Sequence, residues 1–158
     1  MNRSPGPLVR AALTGSVASV VSGVALALCG RAEGEAPLAP VNAPSHWVWG
    51  DEALRHDGAS ARYTATGYLI HHLSSVWWAA AYERWAPSRR SPTASSAVAL
   101  RDAAAVAALA AWVDLRVAPR RFTPGFERRL SAPSLWLVYG SFAAGLLLAA
   151  KLMGPRPR

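Results

Sequence analysis

Apolar stretches with few or no charges alternate with polar connections along this 158-residue chain. Each of the four stretches is about 17–20 residues long, and a bilayer core about 30 Å thick needs roughly 20 helical residues. They cover residues 11–30, 65–82, 95–113 and 134–150. The pattern therefore predicts an all-α fold, an integral membrane four-helix bundle that forms a single transmembrane domain over residues 1–158.

The charges in the connections predict which way the chain threads. Residues 31–64 are net acidic and rich in Pro and Gly, as expected of an outer loop. The basic residues concentrate on the other side, at Arg3, Arg10, Arg84, Arg89, Arg90, Lys151, Arg156 and Arg158. Because basic connections stay in the cytoplasm, we expect both termini to be cytoplasmic.

One connection disagrees with this rule. Residues 114–133 contain five arginines, yet alternation puts them outside. The preceding stretch, 95–113, is also interrupted by Arg101 and Asp102. We expect four spans, with three as the alternative. Within the connection, Thr123-Pro124 has the pattern of a helix start and predicts a short interfacial helix in residues 120–131.

The first stretch places small residues at every fourth position: Gly15, Ser19, Gly23 and Ala27. Such spacing lets two membrane helices approach closely. We expect it to pack the bundle internally, with a homodimer interface as the alternative. Cleavage of residues 1–27 as a signal peptide is a further alternative, since Ala25-Leu26-Ala27 has the A-x-A form of a cleavage site, but we expect the segment to be retained.

The candidate functional cluster lies in the second stretch and comprises Tyr68, His71, His72 and Ser75. Polar groups in hydrocarbon are costly, so this face should point into the bundle. Helical rise puts His71 level with Ser22 and Gly23 on the first span and with 139–141 on the fourth. We expect the histidines to make structural hydrogen bonds there. The alternatives are haem or quinone binding, proton or ion handling, and a metal held with His46 or Asp51 from the outer loop.

Arg101 and Asp102 are secondary candidates, together with His46 and Asp51. Adjacent residues diverge on a helix, so we do not expect Arg101 and Asp102 to form a salt bridge with each other. They are interpreted as a charged helix end at the cytoplasmic interface. The sequence contains no nucleophile motif, phosphate loop or paired carboxylates, which weakens the case for an enzyme.

Composition narrows the class of protein further. The net charge of +8 is explained by basic residues beside membrane spans, so nucleic acid is not an expected partner. Cys29 is the single cysteine and forms neither an internal disulfide nor a thiolate metal site. Lys151 is the single lysine, and with the abundant Ala, Gly and Pro this indicates a GC-rich bacterial genome.

Three segments carry a resemblance to known sequences: SHWVWGD at 45–51, HHLSSVWWA at 71–79 and TPGFERRLS at 123–131. They resemble a group of short bacterial inner-membrane proteins without assigned chemistry. The resemblance implies location and bundle architecture but no active site. We therefore predict a non-catalytic inner-membrane component that contacts the lipid bilayer and either self-associates or joins a larger assembly. A small redox or proton-handling protein using His71 and His72 is the alternative.

Overall fold

The long helices coincide with the four apolar stretches. The computed structural model describes residues 5–91 and 93–154; Arg3, Arg156 and Arg158, which the predicted topology also uses, lie outside them. In chain order the α-helices are α1 (Pro7–Ala32), α2 (Ala39–Asn42), α3 (His46–Trp49), α4 (Tyr63–Trp85), α5 (Ser96–Trp112) and α6 (Ala132–Met153). The described residues contain no strand, which confirms the prediction of an all-α fold.

Three of the four long helices are apolar enough to cross a membrane. They are α1, α6, and α5 together with a π-helical turn that extends it to Val117. The stretch 95–113, predicted to be the weakest span, is therefore among them. In contrast, α4 is long enough but less apolar. The membrane prediction is thus supported for three of the four predicted spans.

Helix α1 packs between α4 and α6 and is antiparallel to both. Arg10 of α1 contacts Glu83 of α4, and Ser22, further along α1, contacts His71, which lies earlier in α4. Residue numbers therefore increase in opposite directions along the two helices. On the other side the α1 residues Arg10, Ala18 and Cys29 meet Gly154, Gly145 and Ser134 of α6 in turn. Helix α5 packs mainly on α6 and less extensively on α4.

Small residues make these close approaches possible. A Cβ on Gly15 would overlap the backbone of Val76 in α4, and one on Gly145 would lie 2.5 Å from the Cα of Ala18 in α1. Gly23 faces the ring of Tyr68, which a Cβ would meet at 3.3 Å. The glycines of the predicted small-residue line on α1 therefore pack inside the molecule, as expected.

The outer ends of α1 and α6 are joined through a carboxylate. Ser131, the N-cap of α6, donates to Glu33 from its backbone N at 2.9 Å and from its hydroxyl, and Ser134 also donates to Glu33. A carboxylate at this position satisfies free amide groups and interacts favourably with the helix dipole. The hydrogen bonds from Ser131 and Ser134 hold the pKa of Glu33 below its ordinary value of 4.5.

The segment 120–131 does not form the helix predicted to begin at Thr123-Pro124. It contains two single 3-10 turns, Arg120–Phe122 and Phe126–Arg128. Between them Gly125 has φ 84°, and a Cβ there would lie 2.8 Å from the carbonyl oxygen of Ala43. The prediction was wrong because the chain reverses at Gly125 to pack against the outer loop.

The outer loop and the segment 120–131 are held together by ion pairs. Arg129 contacts Glu35 at 2.9 Å and also pairs with Asp57, and Arg128 lies 3.5 Å from Asp51. Arg129 also donates to the carbonyl oxygen of Leu54 at 3.1 Å. Residues 114–133 disagreed with the basic-residue rule, and two of their arginines thus pair with carboxylates of the acidic loop.

We expect Gly145→Leu to destabilise the protein by at least about 1–3 kcal/mol, because the added side chain must displace the backbone of α1 at Ala18. Gly140→Leu, on the same helix, is the matched control: a Cβ at Gly140 meets no atom within 4 Å. Unfolding by denaturing detergent in mixed micelles measures both variants. Equal midpoints for the two variants would contradict the close contact between α1 and α6.

Candidate functional site

His71 is half-buried at the contact between α4 and α1. Its Nε2 lies 3.0 Å from the hydroxyl of Ser22, and this hydroxyl also donates to the carbonyl oxygen of Ala18 at 2.8 Å. A hydroxyl has one proton, so the Ser22 proton satisfies either Ala18 or His71, and a protonated Nε2 can donate to the Ser22 oxygen. Ser22 was predicted to be a partner of His71 from its depth, and this contact confirms it.

A cavity of about 60 Å³ lies beside His71. Its polar side is formed by His71, Ser22, Asp114 and Tyr139, and the Tyr139 hydroxyl donates to Asp114 at 2.9 Å. Asp114 belongs to the π-helical turn that ends α5, and such turns recur at functional positions of helices. The cavity therefore brings together polar groups from α1, α4, α6 and the turn that follows α5.

Residues of the two outer connections cover this cavity: Pro44, Trp47, Pro124 and Phe126. The indole of Trp47 donates to the carbonyl oxygen of Thr123 at 2.7 Å, which fixes one connection against the other. The rings of Phe126 and Tyr139 lie 6.2 Å apart. The cover thus depends on the same interlocked loops that the arginine–carboxylate pairs hold together.

The size of the cavity limits what it can bind. A water molecule needs about 10–15 Å³ of such space, and an engineered cavity of about 150 Å³ is needed to hold benzene. The space beside His71 is closer to the former and suits a few water molecules. A porphyrin ring does not fit there without movement of the helices, whereas waters would bridge His71 and the Asp114–Tyr139 pair.

The predicted cluster is divided between different surroundings. Ser75 lines the cavity with His71, although its hydroxyl donates to the carbonyl oxygen of His71 at 2.8 Å. His72 and Tyr68 do not line it. The Nδ1 atom of His72 is buried without a hydrogen bond, and its ring lies 6.2 Å from that of Tyr68. His71 and His72 therefore do not face one common site.

His46 and Asp51 lie in an outer recess, separate from the cavity, together with Arg120 and Arg128. His46 is buried, and its Nδ1 donates to the carbonyl oxygen of Ala43 at 2.9 Å. Asp51 is largely exposed and faces Arg128. The structure thus brings neither of them to His71.

Arg101 and Asp102 do form a salt bridge, which corrects the expectation that they diverge. Arg101 Nη2 lies 2.8 Å from Asp102 Oδ1, and the backbone N of Ser88 donates to Oδ2 at 2.9 Å. The long arginine side chain curls back to its neighbour, because the buried carboxylate needs a cation. Asp102 thereby anchors the connection between α4 and α5.

A buried ion network at the end of the bundle where α1 begins and α4 and α6 end was not predicted from the sequence. Glu83 accepts from Arg10 at 3.4 Å, from Arg89 at 3.1 Å and from the Thr14 hydroxyl at 2.8 Å. Both arginines also donate to the carbonyl oxygen of Gly154, at 2.6 and 2.8 Å. The negative end of the α6 dipole partly offsets the second positive charge. Arg10 and Glu83 each lie beside a predicted span, where the basic-residue rule already accounts for charged residues. Nothing else in the sequence indicated that these two residues pair.

Asp114 and Tyr139 were also absent from the predicted site residues. Asp114 follows an apolar stretch and was assigned to the outer connection. The π-helical turn keeps it on the helix and turns it towards α6. Residues 139–141 were predicted, like Ser22, to be hydrogen-bond partners of His71, but the Tyr139 hydroxyl donates to Asp114 instead. The sequence feature that could have identified Asp114 is its position, since it is a carboxylate within one helical turn of the end of a predicted span.

The described residues, 5–91 and 93–154, contain no group of three or more His, Cys, Asp or Glu side chains arranged to hold a metal ion. Comparison of the chain with protein families, with curated proteins and with solved structures finds no match. The chemistry of the site therefore has to be argued from its own residues.

We expect Glu83→Ala to destabilise the protein by about 3–5 kcal/mol, because it leaves two buried guanidinium groups without their shared carboxylate. Arg84→Ala changes the exposed neighbouring residue and should alter the free energy of unfolding by less than about 0.5 kcal/mol. Detergent-induced unfolding of both variants measures the difference. If Glu83→Ala unfolds like Arg84→Ala, the network does not hold the helix ends together.

Proposed function

We propose that this chain is a four-span protein of a bacterial inner membrane, with both termini in the cytoplasm. We further propose that it acts as a non-catalytic membrane component or as a subunit of a larger assembly. The observation that carries the proposal is the full-length antiparallel contact between α4 and α1. This contact makes α4 a spanning helix wherever α1 is one.

The contacts between α1 and α4 extend from one end of the helices to the other. Arg10 pairs with Glu83 at the inner end, Gly15 packs on Val76 in the middle, and Gly23 packs on Tyr68 towards the outer end. At about 1.5 Å per residue, the 23 residues of α4 extend about 34 Å, enough to cross a bilayer core about 30 Å thick. A helix joined in this way to a spanning neighbour cannot lie flat on the membrane surface.

The outward face of α4 also favours a lipid environment. Leu69, Leu73 and Trp77 are exposed at 55%, 57% and 73%, and their spacing of four puts them on one face. The polar residues that lower the average apolarity of α4 include His71 and Ser75, which face inward. Average hydropathy therefore underestimates how well this helix suits a membrane.

Charged and aromatic residues at the helix ends support the same arrangement. The Glu83 network lies at one end, and the Glu33 and Arg129 contacts lie at the other. Trp85 is exposed at the inner end of α4, and Trp112 and Trp136 are exposed at the outer ends of α5 and α6. Tryptophan is enriched at both interfaces of a bilayer, so these residues fit the two boundaries of the span.

The arginines of residues 114–133 are compatible with an outer location because part of their charge is paired. Arg129 meets Glu35 and Asp57, and Arg128 meets Asp51. The basic-residue rule concerns the translocation of positive charge in short connections. The acidic loop precedes this segment in the chain, so its carboxylates would already be outside to pair with the arginines when the segment crosses. This pairing supports four spans over three.

A non-catalytic role fits the chemistry of the buried groups. Glu83, Asp102 and Asp114 are each engaged with a cation, a backbone amide or a hydroxyl of the same chain. A nucleophile or general base needs a free, correctly placed partner. These carboxylates instead hold one part of the chain against another.

The topology is tested by cysteine labelling in a Cys29→Ser background. We expect Ala59→Cys and Pro119→Cys to react with a membrane-impermeant maleimide in intact spheroplasts, and Thr93→Cys to react only after the membrane is opened. All three positions are exposed and uncharged. Labelling of Thr93→Cys in intact spheroplasts would contradict a spanning α4, and protection of Pro119→Cys would contradict a spanning α5.

Proton or ion handling is the second candidate function, and the water-sized cavity favours it. His71, Asp114 and Tyr139 are titratable groups around one space, which is how proton relays are built in membranes. Against it, most of the buried residues between this cavity and the ion network are apolar, including Ala79, Phe142 and Leu146, and Ser19 and Tyr82 are the buried polar residues among them. These two hydroxyl groups are neutral, and no titratable carboxylate or imidazole of the described residues lies in this layer.

Liposomes that contain the protein and a pH-sensitive dye separate the two candidates. We expect proton entry at the rate of empty liposomes. We also expect His71→Gln to keep its stability within about 1.5 kcal/mol, since the amide can still pair with Ser22. His72→Gln is the control, because His72 lies outside the cavity. Proton entry that is lost in His71→Gln and kept in His72→Gln would favour the second candidate over the first.

A further inference from the structure

A second space, the inner pocket, lies between the connection that follows α4 and the last turns of α6. Its volume is about 450 Å³, and it opens to the surface. Its polar side includes Tyr82, Ser88, Arg89 and Lys151, and its apolar side includes Leu100 and Leu147. It is separate from the cavity at His71 and takes no part in the function proposed above.

Two hydroxyl groups in the inner pocket lack a normal hydrogen bond. Tyr82 is 0% exposed and Ser88 is 7% exposed, and neither the Tyr82 hydroxyl nor the Ser88 hydroxyl has a partner within the described residues. Leaving a buried hydroxyl unpaired costs about 1–3 kcal/mol. Both side chains line the pocket, but the two oxygens are themselves closed off from solvent, so a ligand that accepts hydrogen bonds there removes this cost only after a hydroxyl turns towards the pocket.

The charge of the pocket is positive. Arg89 and Lys151 line it, whereas the described lining residues include no Asp or Glu. The nearest carboxylates are occupied: Glu83 is shared by Arg10 and Arg89, and Asp102 is bound by Arg101 and the Ser88 backbone. The pocket therefore offers cations and hydroxyl donors together, which is the donor set that binds phosphate oxygens.

The apolar side gives the pocket a second property. Leu100 is 56% exposed on α5, next to a surface that faces lipid in the proposed arrangement. Lys151 lies in the last turn of α6, from which a lysine reaches the headgroup level while its carbon chain stays in the apolar zone. A free phosphate ion would use only the polar side, whereas a phospholipid would use both.

We propose that the inner pocket binds the phosphate of an anionic phospholipid through Lys151, Arg89 and the hydroxyls of Tyr82 and Ser88. An acyl chain lies along Leu100 and Leu147. The lipid accepts hydrogen bonds from the two unpaired hydroxyls and joins the connection after α4 to the end of α6. Basic pockets between spans on the cytoplasmic side bind anionic headgroups by the same physics.

Native mass spectrometry of the full chain in a neutral detergent tests this proposal without depending on the topology. The probes are phosphatidylglycerol and phosphatidylcholine with identical acyl chains, and glycerol phosphate as the soluble headgroup. We expect one phosphatidylglycerol to be retained in preference to phosphatidylcholine. Lys151→Gln should weaken its binding about fivefold, the effect of one basic residue near a membrane surface. Arg84→Gln removes a charge that does not line the pocket and should have no effect.

Tyr82→Phe gives a second, independent readout. It removes a hydroxyl that has no hydrogen-bond partner among residues 5–91 and 93–154, so the thermal stability without lipid should not fall. The stabilisation added by phosphatidylglycerol should fall, because the phosphate loses a donor. A variant that is stable without lipid but less stabilised by phosphatidylglycerol supports the proposal.

Three results would overturn the proposal. These are equal binding of the two lipids, equal phosphatidylglycerol binding by Lys151→Gln and Arg84→Gln, and glycerol phosphate binding as tightly as the whole lipid. The last result would assign the pocket to a soluble phosphate compound. None of them bears on whether α4 and α5 cross the membrane, which the cysteine labelling decides.

Discussion

Charge cannot be buried without a partner in a medium of low dielectric constant, and the arrangement of the long helices depends on this constraint. Glu83 on α4 is buried between Arg10 of α1 and Arg89, and both arginines reach the carbonyl oxygen at the end of α6. One carboxylate thus aligns the ends of three helices. A shift of α4 along α1 by one turn would separate Glu83 from Arg10, so the network also sets which residues meet further along, including His71 and Ser22.

The outer half of the molecule is built by a different means. There the two connections interlock through Arg129, Trp47 and the reversal at Gly125, and Glu33 ties the end of α1 to the start of α6. The cavity beside His71 exists because this cover closes over helices whose relative positions are already set. Since both connections contribute to the cover, loosening either one would widen the opening of the cavity.

The sequence predicted the helical class, the four long helices and the turn of α1 that lies level with His71, because apolar runs and helical rise are local properties. It also predicted the Ser22 partner, since depth alone decides which turns of antiparallel neighbours meet. It did not predict the pairing of Arg10 with Glu83 or of Tyr139 with Asp114. These pairs join residues far apart in the chain, and no periodicity connects them. The Thr123-Pro124 helix was wrong because a local capping pattern was outweighed by packing against Ala43.

In the proposed topology, α4 illustrates why average apolarity and membrane location can disagree. A helix that packs on neighbours has an inner face and an outer face, and only the outer one meets lipid. On α4 the outer face carries Leu69, Leu73 and Trp77, while His71 and Ser75 are on the inner face. A hydropathy average over both faces treats every polar side chain as though it faced hydrocarbon. It therefore also counts side chains that make hydrogen bonds inside the protein. The cost of crossing is set by what remains unsatisfied after packing, and for His71 the contact with Ser22 and the polar cavity reduce that cost.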